Sequence, residues 1–225
     1  MNSPRKILAV VPHPDDEVLG CGGTIKRHTL RGDQVFLCIG TKAYTPDWTE
    51  EFLAERPNEI EKAGNILGIA KTYFLDFPSV KVDTIPQKEV NDAISKIVKE
   101  VRPEIMYIPH GGDLNQDHRI FFGASLVASR PIPGSSVREI YSYEALSETE
   151  WGNELTPFVP NAYVDISKEI LAKKEAMSCY KSELREFPHP RSLRAIEALA
   201  QKRGSEAGME YAEAFMVIRR LWAGT

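Results

Sequence analysis

Two short clusters in the sequence place histidines among carboxylates. The first is the run PHPDDE at residues 12–17, and the second is the run HGGDLNQDH at residues 110–118. Imidazole nitrogens and carboxylate oxygens bind metal ions such as Zn²⁺, and both groups also transfer protons near neutral pH. The two clusters therefore indicate metal-assisted hydrolysis, provided that the fold brings them together.

The first cluster separates a pair of possible metal ligands from a free carboxylate. His13 and Asp16 are three residues apart, so one turn at the start of a helix could direct both to the same point. Asp15 is the neighbour of Asp16 and cannot point the same way, which leaves a base beside a bound cation. The simpler interpretation is a helix N-terminus whose acidic residues complement the dipole. It suffices for Glu17 but not for the proline-flanked histidine.

The second cluster supplies the ligand that the first lacks. Catalytic zinc usually takes three protein ligands and a water, and His118 is the natural third. Asp117 stands beside it, and a carboxylate near a ligand histidine fixes its tautomer and raises its basicity. A capped helix start with a surface histidine would explain most isolated Asp-His pairs. The position of this pair after another predicted strand favours the metal site.

Strands alternate with helices in the first half of the chain, which predicts an α/β fold with a parallel sheet. The strands are expected at 7–11, 34–40, 72–77 and 104–109, and the helices at 18–31, 50–67, 86–102 and 117–130. Each histidine cluster directly follows a predicted strand. Ligands bind at the carboxyl ends of the strands in such sheets, so both clusters are expected at one edge.

The second half is less regular but continues the same fold. Strands are expected at 138–145, 163–166 and 213–221, and helices at 168–180 and 193–203. The proline-rich stretches 130–136 and 186–191 are interpreted as loops and not as domain linkers. We therefore expect residues 1–225 to form a single α/β domain.

Composition excludes several classes of protein. Of the 225 residues, 42% are hydrophobic and 27% are charged, which is typical of a globular protein. The net charge of −4 argues against nucleic acid as a partner. The three cysteines form no CxxC pair, so neither a disulfide framework nor a cysteine zinc site is expected. With no signal-peptide core and no apolar run of about 20 residues, we expect a cytoplasmic protein without a membrane anchor.

The motifs resemble those of the PIG-L/LmbE-like zinc-dependent N-deacetylases. The resemblance rests on HPDDE at 13–17 and on the later DHR at 117–119. It extends through RPNE at 56–59, which is similar to the Arg-x-x-Glu of the family, and YAEAF at 211–215. The family implies a Rossmann-like three-layer sandwich with a mostly parallel central sheet, in agreement with the strand–helix alternation.

The resemblance also implies a role for each motif residue. By this resemblance His13, Asp16 and His118 are the zinc ligands, and Asp15 is the general base. Two imidazoles and one carboxylate suit Zn²⁺, although Fe²⁺ or another divalent first-row ion would also fit.

Other residues are implied to act on the substrate or to support the ligands. Asp117 is expected to support a ligand histidine without binding the ion itself, and Arg56 is expected to contact the substrate. Asp113 is expected to bind a sugar hydroxyl or to cap its loop, with neither favoured. His189, in the rigid run FPHPR at 187–191, is a candidate for the pocket rim, although a surface position is equally compatible.

One position departs from the pattern of the family. Many members carry a histidine three residues before the last ligand, whereas this chain has Asn115. An amide can donate a hydrogen bond to a developing oxyanion but cannot deliver a proton near neutral pH. The departing amine would then receive its proton from Asp15, or from another group such as His110 or His189.

The function implied is hydrolytic removal of the N-acetyl group from an N-acetylglucosamine-type sugar or sugar conjugate. The alternatives are an amidase that acts on a sugar-thiol conjugate with the same metal site, and a non-catalytic sugar-binding protein that retains the fold. The expected partner is a small N-acetylated sugar or conjugate, whose aglycone the sequence does not specify. Because many members of the family associate, a homo-oligomer is compatible with the resemblance.

Overall fold

A seven-stranded sheet forms the centre of the computed structural model, which describes residues 3–152 and 154–222. The strands are β1 (Lys6–Val11), β2 (Gln34–Lys42), β3 (Lys71–Pro78), β4 (Ile105–Ile108), β5 (Glu139–Tyr143), β6 (Ala162–Asp165) and β7 (Ala212–Arg220). Their order in the sheet is β3-β2-β1-β4-β5-β7-β6. The first five strands pair in parallel, whereas β7 runs antiparallel to both β5 and β6.

Six α-helices in the described residues cover the two faces of this sheet. They are α1 (Asp16–Leu30), α2 (Glu50–Leu67), α3 (Gln87–Val101), α4 (Gln116–Ala128), α5 (Ile170–Cys179) and α6 (Leu193–Ala207). Helices α1, α2, α5 and α6 pack on one face, and α3 and α4 pack on the other. The predicted α/β fold, a three-layer sandwich with a mostly parallel central sheet, is confirmed.

Strand β1 lies at the centre of the sheet and is buried on both sides. Ile7, Ala9 and Val11 contribute to the core under α1 and α2, whereas Leu8 and Val10 contribute to the core under α3 and α4. A continuous apolar run is what a strand covered on both faces requires. This is the reason that the first predicted strand could be placed within a residue of its observed position.

Most predicted elements agree with the structure to within a few residues. Helix α1 begins at Asp16, two residues before the predicted start, and α6 continues to Ala207 beyond the predicted end. Within the described residues, no helix is both long enough and apolar enough to cross a bilayer. The assignment of residues 1–225 to one domain stays a prediction.

Helix α1 is interrupted at Cys21, whose φ of −147° is not helical. The carboxylate of Glu213, on β7, accepts hydrogen bonds from the backbone amides of Gly23 at 2.9 Å and Thr24 at 2.7 Å. These amides begin the second half of the helix and have no partner within it. The buried Nζ of Lys173 lies 2.5 Å from the same carboxylate. Glu213, from the YAEAF motif, therefore anchors the helix that carries the first histidine cluster.

Candidate active site

The loop after β1 turns sharply at Asp15 and leaves its carboxylate free. Asp15 has φ 110° and ψ −26°, a conformation that few residues other than glycine adopt. Its backbone carbonyl accepts hydrogen bonds from the amides of Val18 and Leu19, both at 2.9 Å, and so begins α1. The side chain does not cap the helix, and its buried Oδ2 atom accepts no hydrogen bond. The turn therefore leaves Oδ2 of the Asp15 carboxylate without a hydrogen bond to the helix.

His13, Asp16 and His118 come together at the carboxyl ends of β1 and β4. The Oδ2 atom of Asp16 lies 3.4 Å from His13 Nδ1 and 3.3 Å from His118 Nε2. The backbone amide of His13 donates to the same oxygen at 2.9 Å and holds it in place. Strands β1 and β4 are adjacent in the sheet, so the two loops that follow them meet. The structure therefore brings together the three residues predicted to bind a metal.

A second carboxylate holds the far side of each histidine ring. Asp113 Oδ2 lies 2.7 Å from His118 Nδ1, and Asp117 Oδ2 lies 3.0 Å from His13 Nε2. Asp117 also accepts a hydrogen bond from the amide of Val80 at 2.7 Å, which fixes its position. Carboxylates in this position set the tautomer of a ligand histidine and leave its other nitrogen as an acceptor. Asp117 therefore supports His13 and not its sequence neighbour His118.

The electrostatics of the cluster favour positive charge. Burial lowers the pKa of His13, but hydrogen bonds to Asp117 and Asp16 outweigh it and raise the pKa to about 9. The pKa of His118 is raised well above its ordinary value, because the charges of Asp16 and Asp113 outweigh its burial. Burial opposes ionisation of Asp16, yet the two histidines hold its pKa well below the usual value.

The residues present fit a divalent cation. The three side chains each offer one donor atom, and these atoms lie within 4.8 Å of one another. Zn–N and Zn–O bonds of about 2.0–2.1 Å at tetrahedral angles place donor atoms about 3.3–3.4 Å apart, as Asp16 Oδ2 is from each imidazole nitrogen. The Nε2 atom of His118 is buried without a hydrogen-bond partner. A metal ion bound here would provide that partner.

The free carboxylate of Asp15 lies beside this cluster and has unusual acidity. Its side chain is only 6% exposed. Burial, reinforced by the neighbouring charge of Asp16, raises the pKa of Asp15 well above its ordinary value. A carboxylate with a raised pKa is a stronger base than one in water, which is what proton transfer near neutral pH requires.

A cavity of about 540 Å³ opens over the cluster and is bordered by His13, Asp15 and Asp16. Side chains from β2, β3, α2 and the loop before α2 form an apolar wall that includes Ile39, Trp48, Phe52, Ile60 and Phe74. Asn115 also lines the cavity, and it caps α4 because its side-chain oxygen accepts from the amide of Asp117 at 3.0 Å. The remaining amide NH₂ of Asn115 is the group that can donate to a ligand.

Arg56, predicted to contact the substrate, also lines the cavity. Its guanidinium stacks over the ring of Phe52 at 4.2 Å and donates from Nη2 to Glu183. Its buried Nη1 atom lies 3.5 Å from Glu59 but has no hydrogen-bond partner. Glu59 itself accepts from the amide and the hydroxyl of Ser182. The RPNE motif thus joins α2 to the segment after α5 and places a donor at the cavity.

The structure does not place two of the predicted substrate residues at the cavity. Asp113, expected either to bind a sugar hydroxyl or to cap its loop, is completely buried and bonded to His118, so the sugar contact is corrected to support of a histidine. His189 does not line the cavity either, and its Nδ1 atom accepts from the amide of Arg191 at 3.1 Å. His110, considered as a proton donor, is buried with Nε2 2.8 Å from the carbonyl of Thr156.

Glu183 and Arg191 are among the charged residues that line the cavity but were not predicted from the sequence. His189 was one candidate for the rim, with a surface position equally compatible, but the residue of this loop that lines the cavity is Arg191. Neither Glu183 nor Arg191 belongs to a motif that indicates a functional site. Their positions depend on how the segment between α5 and α6 packs against α2, so no local signal in the sequence identifies them.

Comparison with known proteins agrees with this site. Residues 8–129 match the profile of the PIG-L family, described as GlcNAc-PI de-N-acetylase. The chain belongs to this family. The matched residues include both histidine clusters, and therefore all three residues of the proposed metal site.

Two relatives illustrate the range of the PIG-L family. A diacetylchitobiose deacetylase of Thermococcus kodakarensis is 27% identical over 222 residues, which cover 94% of this chain and 82% of the relative. An uncharacterized deacetylase of Escherichia coli, YaiS, is 33% identical over 183 residues, which cover 78% of this chain and 89% of the relative. Both proteins are described as deacetylases.

A solved structure shows the same fold. The N,N'-diacetylchitobiose deacetylase of Pyrococcus horikoshii superposes with a TM-score of 0.78 over 96% of this chain and 85% of that protein. The sequences are 24% identical. The similarity covers most of the chain and confirms the fold of this PIG-L family member.

Proposed function

We propose that this protein is a metal-dependent hydrolase that removes the N-acetyl group from an N-acetylglucosamine-type sugar or sugar conjugate, releasing acetate and a free amine. The observation that carries this proposal is the group of His13, Asp16 and His118, which adjoins the free carboxylate of Asp15 at a cavity. The relatives named as deacetylases support the same reaction.

We propose that His13, Asp16 and His118 hold the metal ion. Two imidazoles and one carboxylate suit Zn²⁺, and Fe²⁺ or another divalent first-row ion would also be accepted. When bound, such an ion supplies a Lewis acid for an acyl oxygen and lowers the pKa of water. Asp113 and Asp117 would each accept the N–H of the ring nitrogen that faces away from Asp16, so the nitrogens that face Asp16 would bind the ion once it displaces their protons.

Asp15 is proposed to carry the proton through the reaction. Its carboxylate would accept a proton from the attacking water as the new C–O bond forms. It would then return the proton to the nitrogen as the C–N bond breaks, so that amide and water become acetate and amine. His110 and His189 are not among the residues that line the cavity, which supports Asp15 in both roles. The NH₂ of Asn115 can donate to the developing oxyanion.

The remaining lining is proposed to bind the sugar. The ring of Trp48 and the apolar side chains of Phe52 and Phe74 offer surfaces on which the face of a pyranose can pack. The guanidinium of Arg56, which lines the cavity, is proposed to donate a hydrogen bond to a sugar hydroxyl. The cavity of about 540 Å³ lies in the range of small-molecule sites.

The proposal is tested by acetate release from a panel of N-acetylated sugars. Elemental analysis would give the bound metal, and release would be followed for N-acetylglucosamine, a diacetylated disaccharide and N-acetylglucosamine conjugates. Asp15→Asn should keep the metal and lower turnover by about 100-fold or more, as expected for loss of a general base. Asp92→Asn, on the exposed face of α3, is the matched control and should keep wild-type turnover.

Two outcomes would contradict the proposal. Binding of sugars without release of acetate by the metal-loaded protein would favour a non-catalytic sugar-binding protein. Cleavage confined to sugar-thiol conjugates would favour the alternative amidase. Cytoplasmic location, the absence of nucleic-acid and membrane partners, and association into a homo-oligomer stay predictions of the sequence.

A further inference from the structure

Arg191 reaches the active-site cavity from a part of the chain outside the matched family region, which ends at residue 129. It lies just before α6, in the loop that connects this helix to α5. Its Nη1 atom lies 3.6 Å from Oδ2 of Asp15, and its side chain is 27% exposed. The charge of a residue distant in sequence therefore faces the carboxylate that we propose as the base.

Asp15 depends on this contact because it has few others. Its Oδ2 atom is buried and accepts no hydrogen bond. In residues 3–152 and 154–222, Arg191 is the only cationic side chain that forms an ion pair with it. The backbone carbonyl of Asp15 is held by hydrogen bonds at the start of α1. These backbone bonds do not fix the direction of the Asp15 carboxylate.

Arg191 is itself held on two sides. Its Nη1 donates to Oε2 of Glu183, and its Nε donates to the hydroxyl of Ser147 at 3.0 Å. The other oxygen of Glu183 accepts from Nη2 of Arg56. Glu183 thus bridges two guanidinium groups, and the planar fork of Arg191 is oriented before any ligand arrives.

We propose that Arg191 is a positioning residue that fixes the carboxylate of Asp15 in the direction needed for proton transfer. The inference rests on the proposed function, because it assigns the base of that reaction to Asp15. A displacement of about 1 Å in a reacting group can cost on the order of 100-fold in rate. Loss of Arg191 should therefore lower kcat and not the affinity for the sugar.

The test compares Arg191→Ala and Arg191→Lys with Arg194→Ala as the matched control. Arg194 lies three residues further along and stacks on the ring of Phe187 at 4.2 Å. Arg191→Ala should lower kcat by up to about 100-fold with little change in KM, bound metal or melting temperature. Added guanidinium ion should restore part of the rate.

The remaining variants and a crystal structure complete the test. Arg191→Lys should fall between the wild type and Arg191→Ala, since an ammonium cannot keep both the Ser147 and the Glu183 bond. Arg194→Ala should behave as the wild type. In crystals of Arg191→Ala, the Asp15 carboxylate should leave its wild-type position or occupy more than one rotamer.

Several results would overturn the inference. One is an unchanged kcat in Arg191→Ala, and another is a raised KM at constant kcat, which would make Arg191 a substrate contact. A third is an Asp15 carboxylate that stays in its wild-type position in the crystals. If the metal-loaded wild type released no acetate, the proposed function would fail first. If it were active and Arg191→Ala matched it, only the role of Arg191 would fail.

Discussion

The imidazole rings of His13 and His118 lie with their centroids 5.3 Å apart, although His13 belongs to the loop after β1 and His118 to the first turn of α4, which follows β4. This proximity depends on the parallel pairing of β1 with β4, which brings the segments after both strands to the same edge of the sheet. It leaves the carboxylate of Asp16 between the rings and the carboxylate of Asp15 free. The metal site is therefore a property of the sheet topology as much as of the motifs.

Addition of zinc should stabilise the protein through His118. An ion that binds only the folded state at about 100 times its Kd raises the free energy of unfolding by about 2.7 kcal/mol. His118→Ala removes one of three donors and should abolish most of this increase, measured by thermal unfolding with and without Zn²⁺. His13→Ala, at the less buried ring, should do the same.

The control for the zinc prediction is His189→Ala. His189 is not part of the three-residue group, so its removal should leave the metal-induced stabilisation intact. Equal stabilisation of His118→Ala and the wild type would show that zinc binds elsewhere in the protein.

The carboxylates behind the histidines should tune metal affinity. Asp113→Asn and Asp117→Asn each replace a charged acceptor of an imidazole N–H by a neutral one. Changes of this kind typically cost about 10–100-fold in metal affinity. Competition with a chromophoric chelator would measure the change, and Asp92→Asn on the surface would serve as the control. Wild-type affinity in both variants would mean that the histidines need no such support.

The three metal ligands could be predicted because they lie in short sequence motifs that directly follow predicted strands. A proline-flanked histidine with two carboxylates after one strand, and an Asp-His pair after another, point to a metal site once parallel strands are expected. The partner of each imidazole could not be predicted in the same way. Asp117, in the first turn of α4, supports His13 in the loop after β1, and Asp113 supports His118 from five residues away. Both contacts depend on loop conformations that the spacing does not specify.

The less predictable part of the fold lies in its second half. Strands β5, β6 and β7 were predicted, but the antiparallel pairing of β7 with β5 and with β6 was not. The same half contributes Glu183 and Arg191 to the cavity. In the sequence these two residues resemble the charged residues of any exposed loop. Their side chains reach the cavity because Glu183 pairs with Arg56 on α2 and Arg191 pairs with Asp15 at the start of α1.

Gly40 should be a position where any side chain is costly. A Cβ atom built on Gly40 would lie 2.1 Å from Cζ of Phe121, a fully buried ring that cannot move aside. Gly40→Ala should lower the free energy of unfolding by about 1–3 kcal/mol, as overpacking does in other cores. Chemical denaturation would measure this loss.

The matched control is Gly123→Ala on α4, where a Cβ would meet no atom within 4 Å. Alanine has the higher helix propensity, so this variant should stabilise the protein by about 0.5–1 kcal/mol. A stable Gly40→Ala variant would mean that Phe121 and β2 can separate without loss of packing.

His28 should make the stability depend on pH at a point far from the active site. Its ring lies between Asp33, with Oδ2 2.7 Å from Nδ1, and the hydroxyl of the buried Tyr107, 2.9 Å from Nε2. Burial lowers the pKa of His28 below the usual 6.5, although the hydrogen bond to Asp33 opposes this effect. The unfolded chain therefore takes up a proton at a higher pH than the folded protein does.

The free energy of unfolding should fall as the pH drops through and below the unfolded pKa of His28, because protonation then favours the unfolded chain. His28→Gln removes this titration while keeping a polar group near Tyr107. Its stability should be lower at neutral pH, since contacts are lost, but should fall less steeply as the pH is lowered from about 7.5 to 5.5. Urea unfolding of both proteins across this range measures the two slopes. The other titrating groups are common to both proteins, so parallel curves would mean that the pKa of His28 is the same in the folded and unfolded states.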